Sequence, residues 1–338
     1  MAPTPPPRIS ILLPFHREGG MLEEAIRSIL QQSLEDWELV LVDSEADAAT
    51  RTVAAGFARS DERIRHVTAD TPGIGAALNL GLTACSAPHI ARMDADDRMM
   101  PERLRLQTEF LDRHPDIGLV ACRCEVFPAT QENEGYRLFV DWQNTLLSPD
   151  DHRRNRFVES PVAHPAVLFR KDLTERFGGY RTDGVPEDYE LWLRWMDRDV
   201  RFVKLPETLL QWRDRPERLS RNHPDYTEEA FFRVKADYLH RFLTRTLRAE
   251  RPLVVCGGSR NIRNRTAVLE AAGLRITAYT DVVRRQGNPL PYLPVADLPA
   301  PGTAFFISLI GQRGVREEIR KLLTGSGHRE EQDFLLLA

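Results

Sequence analysis

The chain has 338 residues, 42% of them hydrophobic and 28% charged, with 46 Lys and Arg set against 50 Asp and Glu. That length suits about two domains, and the apolar share excludes a disordered chain. A net charge of −4 argues against a nucleic-acid partner held by a whole-chain basic surface and leaves room only for a local basic patch.

Taken in chain order, Met1–Arg8 is proline-rich and lacks the stretches of a secretory signal, so residues 1–8 are expected to be a flexible lead-in. Ile9–Leu13 reads as a buried strand that Pro14 ends. Leu22, Ala25, Ile26, Ile29 and Leu30 have helical spacing, and Trp37–Val42 is a second strand with the continuous apolar run of a parallel sheet. A helix and strand cover Ala48–Val67, a helix covers Ala76–Ala84, and His89–Met93 is a strand that runs into three acids. Pro101 marks the next helix start, and Ile117–Cys122 the next strand. Cys122 and Cys124 stand as C-x-C without a second pair, so packed thiols fit better than zinc, and four cysteines make no disulfide framework.

Phe127–Arg156 has few periodic signals and is expected to be a long irregular excursion. Residues 186–197 read as a helix, and Tyr226–Arg248 as a long amphipathic helix leading to a boundary at Arg251-Pro252. Strand, tight turn and helix then recur at Leu253–Cys256, Gly257-Gly258 and Ile262–Ala272. Further strands are expected at Leu274–Tyr279 and Phe305–Leu309, and a helix at Val315–Leu323. This alternation predicts an α/β fold with a mostly parallel sheet and a small second α/β domain. No apolar run reaches the roughly 18 residues that span a bilayer.

Two segments carry candidate chemistry. Arg92-Met93-Asp94-Ala95-Asp96-Asp97 sets three carboxylates after a buried strand, where their mutual repulsion favours a cation. Ligands of open α/β sheets bind at the carboxyl ends of strands, and oxygen donors of this kind suit Mn2+ or Mg2+. The alternative is an acidic turn before the helix at Pro101. Pro186-Glu187-Asp188-Tyr189-Glu190 offers a carboxylate that either complements a helix dipole or acts as a general base.

Together these segments resemble glycosyltransferase family 2, inverting enzymes of the GT-A fold. The similarity runs in order through ISILLPFHR (9–17), Gln31-Gln32-Ser33, Trp37–Asp43, GIGAALNLG (73–81), IARMDADD (90–97) and Pro101–Leu104. It continues through His164-Pro165, Phe169-Arg170, Gly178–Tyr180 and Glu187–Arg194. The resemblance implies that Asp94 and Asp96 form the D-x-D that holds Mn2+ or Mg2+. It implies that Pro14, Phe15, His16, Arg17, Asp43, Ser44, Gly73, Asn79, Arg92 and Ala95 line the nucleotide-sugar donor. Asp188 would be the catalytic base with Glu187 beside it. Acceptor contacts would come from His164, Trp192 and Arg213, although His164 also reads as a packed, hydrogen-bonded side chain and Arg213 as a phosphate contact.

Two positions depart from the family pattern. Ser44 follows Asp43 where the family often has a second acid that reads the uracil edge, and Leu78 precedes Asn79 where many members have Arg. Arg92 either supplies that positive charge or makes a structural salt bridge.

The resemblance implies a GT-A domain over 9–225, and the residue pattern beyond it a linking helix over 226–251 and a Rossmann-like domain over 252–338. In the last of these, Gly257-Gly258-Ser259-Arg260-Asn261 and Asp281 resemble half of a dinucleotide-binding unit without the full G-x-G-x-x-G fingerprint. The expected activity is transfer of a sugar, from a UDP-sugar first among donors, to a saccharide or lipid-linked acceptor in cell-surface polysaccharide or lipopolysaccharide synthesis. The expected place is the cytoplasm, at the inner face of the membrane. Arg241, Arg245 and Arg248 on one helix face read as solvated or as a peripheral contact with anionic lipid. A homodimer stays open. The rival readings are a non-catalytic nucleotide-binding protein acting through its C-terminal domain, and a nucleotidyltransferase.

Overall fold

The computed structural model describes residues 6–130, 133–247, 251–312 and 314–338. Most of the expected lead-in, Arg248 and the end of the expected linking helix lie outside the described residues. In chain order the elements are β1 (Ile9–Phe15), α1 (Gly20–Leu30), β2 (Trp37–Asp43), α2 (Ala48–Ser60), β3 (Ile64–Thr68), α3 (Ile74–Ala84), β4 (His89–Arg92), β5 (Arg98–Met99), α4 (Arg103–Arg113) and β6 (Ile117–Phe127). Then come α5 (Glu134–Thr145), α6 (Pro149–Asn155), β7 (Leu168–Arg170), α7 (Asp172–Phe177), α8 (Glu187–Met196), β8 (Arg201–Arg213) and α9 (Leu219–Asn222). The chain finishes with α10 (Glu228–Thr246), β9 (Leu253–Cys256), α11 (Arg260–Ala271), β10 (Ile276–Asp281), β11 (Tyr292–Pro294), β12 (Phe305–Ser308), α12 (Val315–Gly325) and β13 (Phe334–Leu336). These form two compact units: residues up to 152 with 161–223, and 153–160 with 224–338.

The first unit holds an eight-stranded sheet in the order β3-β2-β1-β4-β7-β6-β8-β5. Strands β3, β2, β1 and β4 are mutually parallel, β6 and β8 are parallel to each other, and β7 runs antiparallel to both β4 and β6. All seven residues of β1 and of β2 are buried. Alternate side chains feed two cores: Ile9, Ile11, Leu13, Leu39 and Leu41 on one face, Leu12, Val40, Val42 and Ile90 on the other. A sheet covered on both faces accepts no one-residue slip of register, since every side chain would change core. Helix α3 lies so close to the sheet that a Cβ at Gly81 would fall 2.1 Å from Leu12 Cδ1 and 2.9 Å from Val42 Cγ2.

Three features differ from the sequence reading. Pro14 does not end the first strand: it pairs with Val42 in β2, beyond the last β1–β4 pair at Leu12–Arg92. A ladder that has already stopped on one side tolerates a residue without an N–H. Residues 127–156 are not an irregular excursion, because α5 and α6 occupy them. Helix α5 buries only Val140 and the polar Gln143, which leaves too few apolar positions for a visible period. Strand β6 continues past Cys122 to Phe127 and pairs along its length with β8, with register shifts near Cys122 and Arg123. That pairing sets Arg213 opposite Phe127. Cys122 and Cys124 are buried free thiols whose pKa values burial pushes up.

The second unit contains a five-stranded parallel sheet in the order β11-β10-β9-β12-β13. Ser259 caps α11 by accepting from the Ile262 N–H, and Gly257 turns with φ +102° where L side chains are strained. Lys235 on α10 is buried and donates to Val158 O at 2.8 Å and Leu337 O at 3.1 Å. Burial pulls its pKa down to about 7. No described helix is long and apolar enough to cross a membrane.

Candidate active site

Strands β1, β2 and β4 end at the same edge of the sheet, and most of the expected donor residues leave from those ends. Pro14 and Phe15 are buried in β1, and His16 and Arg17 are exposed just beyond it. The Ser44 N–H donates to Phe15 O at 2.9 Å, and His16 Nδ1 lies 2.5 Å from Ser44 O. Asp43 is buried at the end of β2, where its carboxylate accepts from the Ala46 N–H at 2.7 Å and from Arg51 Nε at 2.6 Å. Phe15 and His66 stack as tilted rings 5.5 Å apart.

The acidic segment follows β4. Ligand atoms of Asp94, Asp96 and Asp97 all lie within 4.8 Å of one another. The Arg92 guanidinium pairs with Asp94 Oδ1, and Arg215 Nε is 2.7 Å from Asp96 Oδ2. Asp97 is wholly buried. Its Oδ1 accepts from the Arg213 N–H at 2.7 Å, and its Oδ2 has no partner among the described residues. Burial and the neighbouring acids push the Asp97 carboxyl well above the usual carboxylate range, and burial followed by Asp94 raises that of Asp96. Three clustered oxygen donors, one of them orphaned and buried, fit a hard divalent cation. Ala95 is buried between the two acids of the D-x-D.

Arg92 joins this cluster to the second motif. Its side chain is 3% exposed, and its charge acts on Asp94, Tyr180 and Glu187. Asp188 lies in the first turn of α8 and its Oδ1 accepts from the Tyr189 N–H at 2.6 Å. Its pKa rises to about 6: burial is the largest cause, the Tyr189 N–H and Arg92 oppose it, and Asp94 adds to it. Glu187, beside Asp188 in α8, is buried.

The remaining expected residues sit around this centre. Gly73 precedes α3 with φ +103° and nothing within 4 Å of a Cβ placed there. Asn79 faces chain rather than open space: its amide donates to Tyr180 O and accepts from Tyr180 N, both at 2.8 Å. His164 is buried, bonded through Nε2 to Tyr180 Oη at 2.9 Å, and desolvation holds its pKa well below the usual value. Trp192 has no exposed surface. Its ring meets His164, Trp195 and Phe202 edge-on at 5.7, 5.5 and 5.9 Å, which places it in the core and not where an acceptor reaches it. Arg213 turns toward the acids: its Nε donates to Asp96 O at 2.7 Å and its terminal nitrogen to Glu24 Oε2 at 2.5 Å.

Sequence reasoning missed Arg215, Arg218, Glu18 and Glu24. Arg218 stacks on Trp212 and Tyr136 at 4.7 and 4.9 Å, and Glu18 Oε1 lies 3.4 Å from Arg215. The run Asp214-Arg215-Pro216-Glu217-Arg218 has no apolar period to mark it. The one clue is its position just after the apolar Leu209–Trp212 of β8.

A large, mostly parallel α/β sheet with an acidic cluster after a buried strand has the layout of a GT-A fold. The family model described as "Glycosyl transferase family 2" matches residues 10–178. The chain is 33% identical over 193 residues to the amylovoran biosynthesis glycosyltransferase AmsE of Erwinia amylovora, covering 57% of this chain and 70% of that one. It is 27% identical over 244 residues to the O-antigen biosynthesis glycosyltransferase WbnJ of Escherichia coli, covering 71% and 92%. It is 26% identical over 235 residues to the E. coli UDP-Gal:alpha-D-GlcNAc-diphosphoundecaprenol beta-1,3-galactosyltransferase, covering 69% and 82%. The crystal structure of S. aureus TarS 1-349 in complex with UDP-GlcNAc superposes with a TM-score of 0.57 at 13% identity, over 78% of this chain and 71% of that one, which shows a shared fold. The chain belongs to glycosyltransferase family 2 and is a glycosyltransferase.

Proposed function

We propose that the protein is an inverting glycosyltransferase of cell-surface polysaccharide or lipopolysaccharide assembly, using a nucleotide-sugar donor, a divalent cation and a saccharide or lipid-linked acceptor at the cytoplasmic side of the membrane. The names of the relatives from E. amylovora and E. coli support the pathway and the acceptor class. The observation that carries the chemistry is the clustering of Asp94, Asp96 and Asp97, with the buried Asp97 Oδ2 unpartnered among the described residues. The catalytic domain is assigned to 9–225, with a linking helix over 226–251 and a Rossmann-like domain over 252–338.

Asp94 and Asp96 would hold Mn2+ or Mg2+, which when bound offsets charge on the leaving diphosphate. The chain's own groups do the rest. Pro14, Phe15, His16, Arg17, Asp43, Ser44 and Gly73 form the nucleotide side, and Arg92 keeps a fixed positive charge beneath the sugar. Asp188, ionised above its raised pKa, takes the proton from the acceptor hydroxyl. That oxygen bonds to the anomeric carbon as the bond to the diphosphate breaks on the opposite face, so configuration inverts. Glu187 and Arg92 hold the field around the base, and Asn79 and His164 hold Tyr180 behind it.

A donor panel tests the reading. UDP-, GDP- and dTDP-sugars are incubated with Mn2+ and acceptor, the released nucleotide is identified, and the anomer of the product is read by NMR. Release of a nucleoside diphosphate with inverted configuration is expected. A retained anomer, or release of pyrophosphate instead, overturns it.

A further inference from the structure

Of the two arginines that hold the D-x-D acids, one is deeply buried and one is partly exposed. Arg92 pairs with Asp94 from a side chain 3% exposed, and its N–H and C=O are both engaged, by Val167 O and by Arg103. Arg215 grips Asp96 Oδ2 at 2.7 Å from a side chain 23% exposed. It lies past the end of β8, in a turn two residues after the pinned Arg213. Its second anchor, Glu18, is longer at 3.4 Å. Arg215 is thus the more accessible of the two, at 23% against 3% exposed.

We propose that Arg215 is an internal counter-ion: it occupies the carboxylate oxygen that a divalent cation needs, is displaced when the cation enters, and then binds the diphosphate of the donor. This rests on the metal-dependent transferase reading given above. A guanidinium and a divalent cation repel each other, so each weakens the other's hold on one carboxylate oxygen. Once released, the planar fork of Arg215 matches paired phosphate oxygens. The arginine thus neutralises the acids in the empty protein and the phosphates in the loaded one.

The two halves of the proposal have opposite signs, which separates them from a loss of structure. Mn2+ is titrated calorimetrically into the metal-free full chain, and UDP and GDP are then titrated at saturating Mn2+. Arg215→Gln should tighten Mn2+ binding about tenfold and weaken the nucleoside diphosphate by a similar factor. Arg215→Lys, which keeps the charge, should stay near the wild type for Mn2+. Unchanged or weaker Mn2+ binding in Arg215→Gln with wild-type circular dichroism overturns the proposal. A misfolded Arg215→Gln leaves the decision to Arg215→Lys and Arg215→Ala. Arg215→Ala should tighten Mn2+ as Arg215→Gln does, and an unchanged value there overturns the proposal too. Absence of any Mn2+ binding to the wild type, with or without nucleotide, overturns the metal assignment itself.

Discussion

Asp188 carries the sharpest consequence of the geometry, because its raised pKa acts on rate and on stability at once. Its carboxyl moves from the ordinary 3.8 to about 6, and at about 1.4 kcal/mol per unit this amounts to roughly 3 kcal/mol as an upper bound. Below about pH 3 the group is mostly protonated in the folded and unfolded chain alike, and little is lost. As pH rises from about 3 to 6 the unfolded chain releases its proton while the folded one keeps it, so stability falls, and above 6 the deficit stays constant. Asp188→Asn keeps the acceptor for the Tyr189 N–H and removes the charge. It should stabilise the protein at pH 7, by at most about 3 kcal/mol, and by only about 0.5 kcal/mol at pH 4, read from urea unfolding at both values. Transfer should follow the ionised fraction, so kcat/KM at pH 5 is about a tenth of its plateau, and the substitution should lower turnover by about a hundredfold or more. Because Asp94 helps to raise the pKa of Asp188, a cation neutralising Asp94 should move the acid limb to lower pH as Mn2+ is raised. A profile flat from pH 5 to 8, or an Asp188→Asn enzyme that turns over normally, refutes the assignment of the base.

Arg103 is fully buried and donates to Arg92 O at 2.9 Å and Val167 O at 3.3 Å, beside Gln107; Arg103→Met should cost about 2–3 kcal/mol in chemical denaturation, and a loss below 0.5 would show those bonds to be dispensable. Asn79→Ala removes both bonds to the Tyr180 backbone and should lower stability by about 1–3 kcal/mol. If Asn79 instead touches the donor, donor KM will rise while the melting temperature stays put. Asp96→Asn should abolish calorimetric Mn2+ binding, and retention of wild-type affinity would place the ion elsewhere. All four cysteines are buried and free, so a thiol reagent such as DTNB should label none in the native protein and four in urea; fast native labelling would contradict that packing.

The parallel half of the sheet was legible because buried strands declare themselves as unbroken apolar runs, as Leu39–Val42 does. The acids at 94, 96 and 97 were legible for the complementary reason: like charges after a buried strand need an explanation. What stayed hidden depends on contacts distant in sequence. Nothing near Arg215 says that it will meet Asp96 across 119 positions, and nothing near Asn79 says that it will clasp Tyr180 across 101. Helix α5 was missed because its inward face is partly polar, with Gln143 buried beside Val140. Pro14 misled because a local rule about proline ignores how far the neighbouring strand extends. Trp192, expected beside an acceptor, lies one turn along α8 from Asp188 and is sealed in an aromatic core.

The depth of Arg92 also bears on how the enzyme meets its medium. Dissolved ions weaken attraction between groups they can approach, and they approach Arg92 poorly. Added sodium chloride should therefore slow capture of the anionic donor at the open rim, while the proton-accepting power of the carboxylate beside that arginine holds steady. Ionic strength would then act on KM and leave kcat nearly untouched.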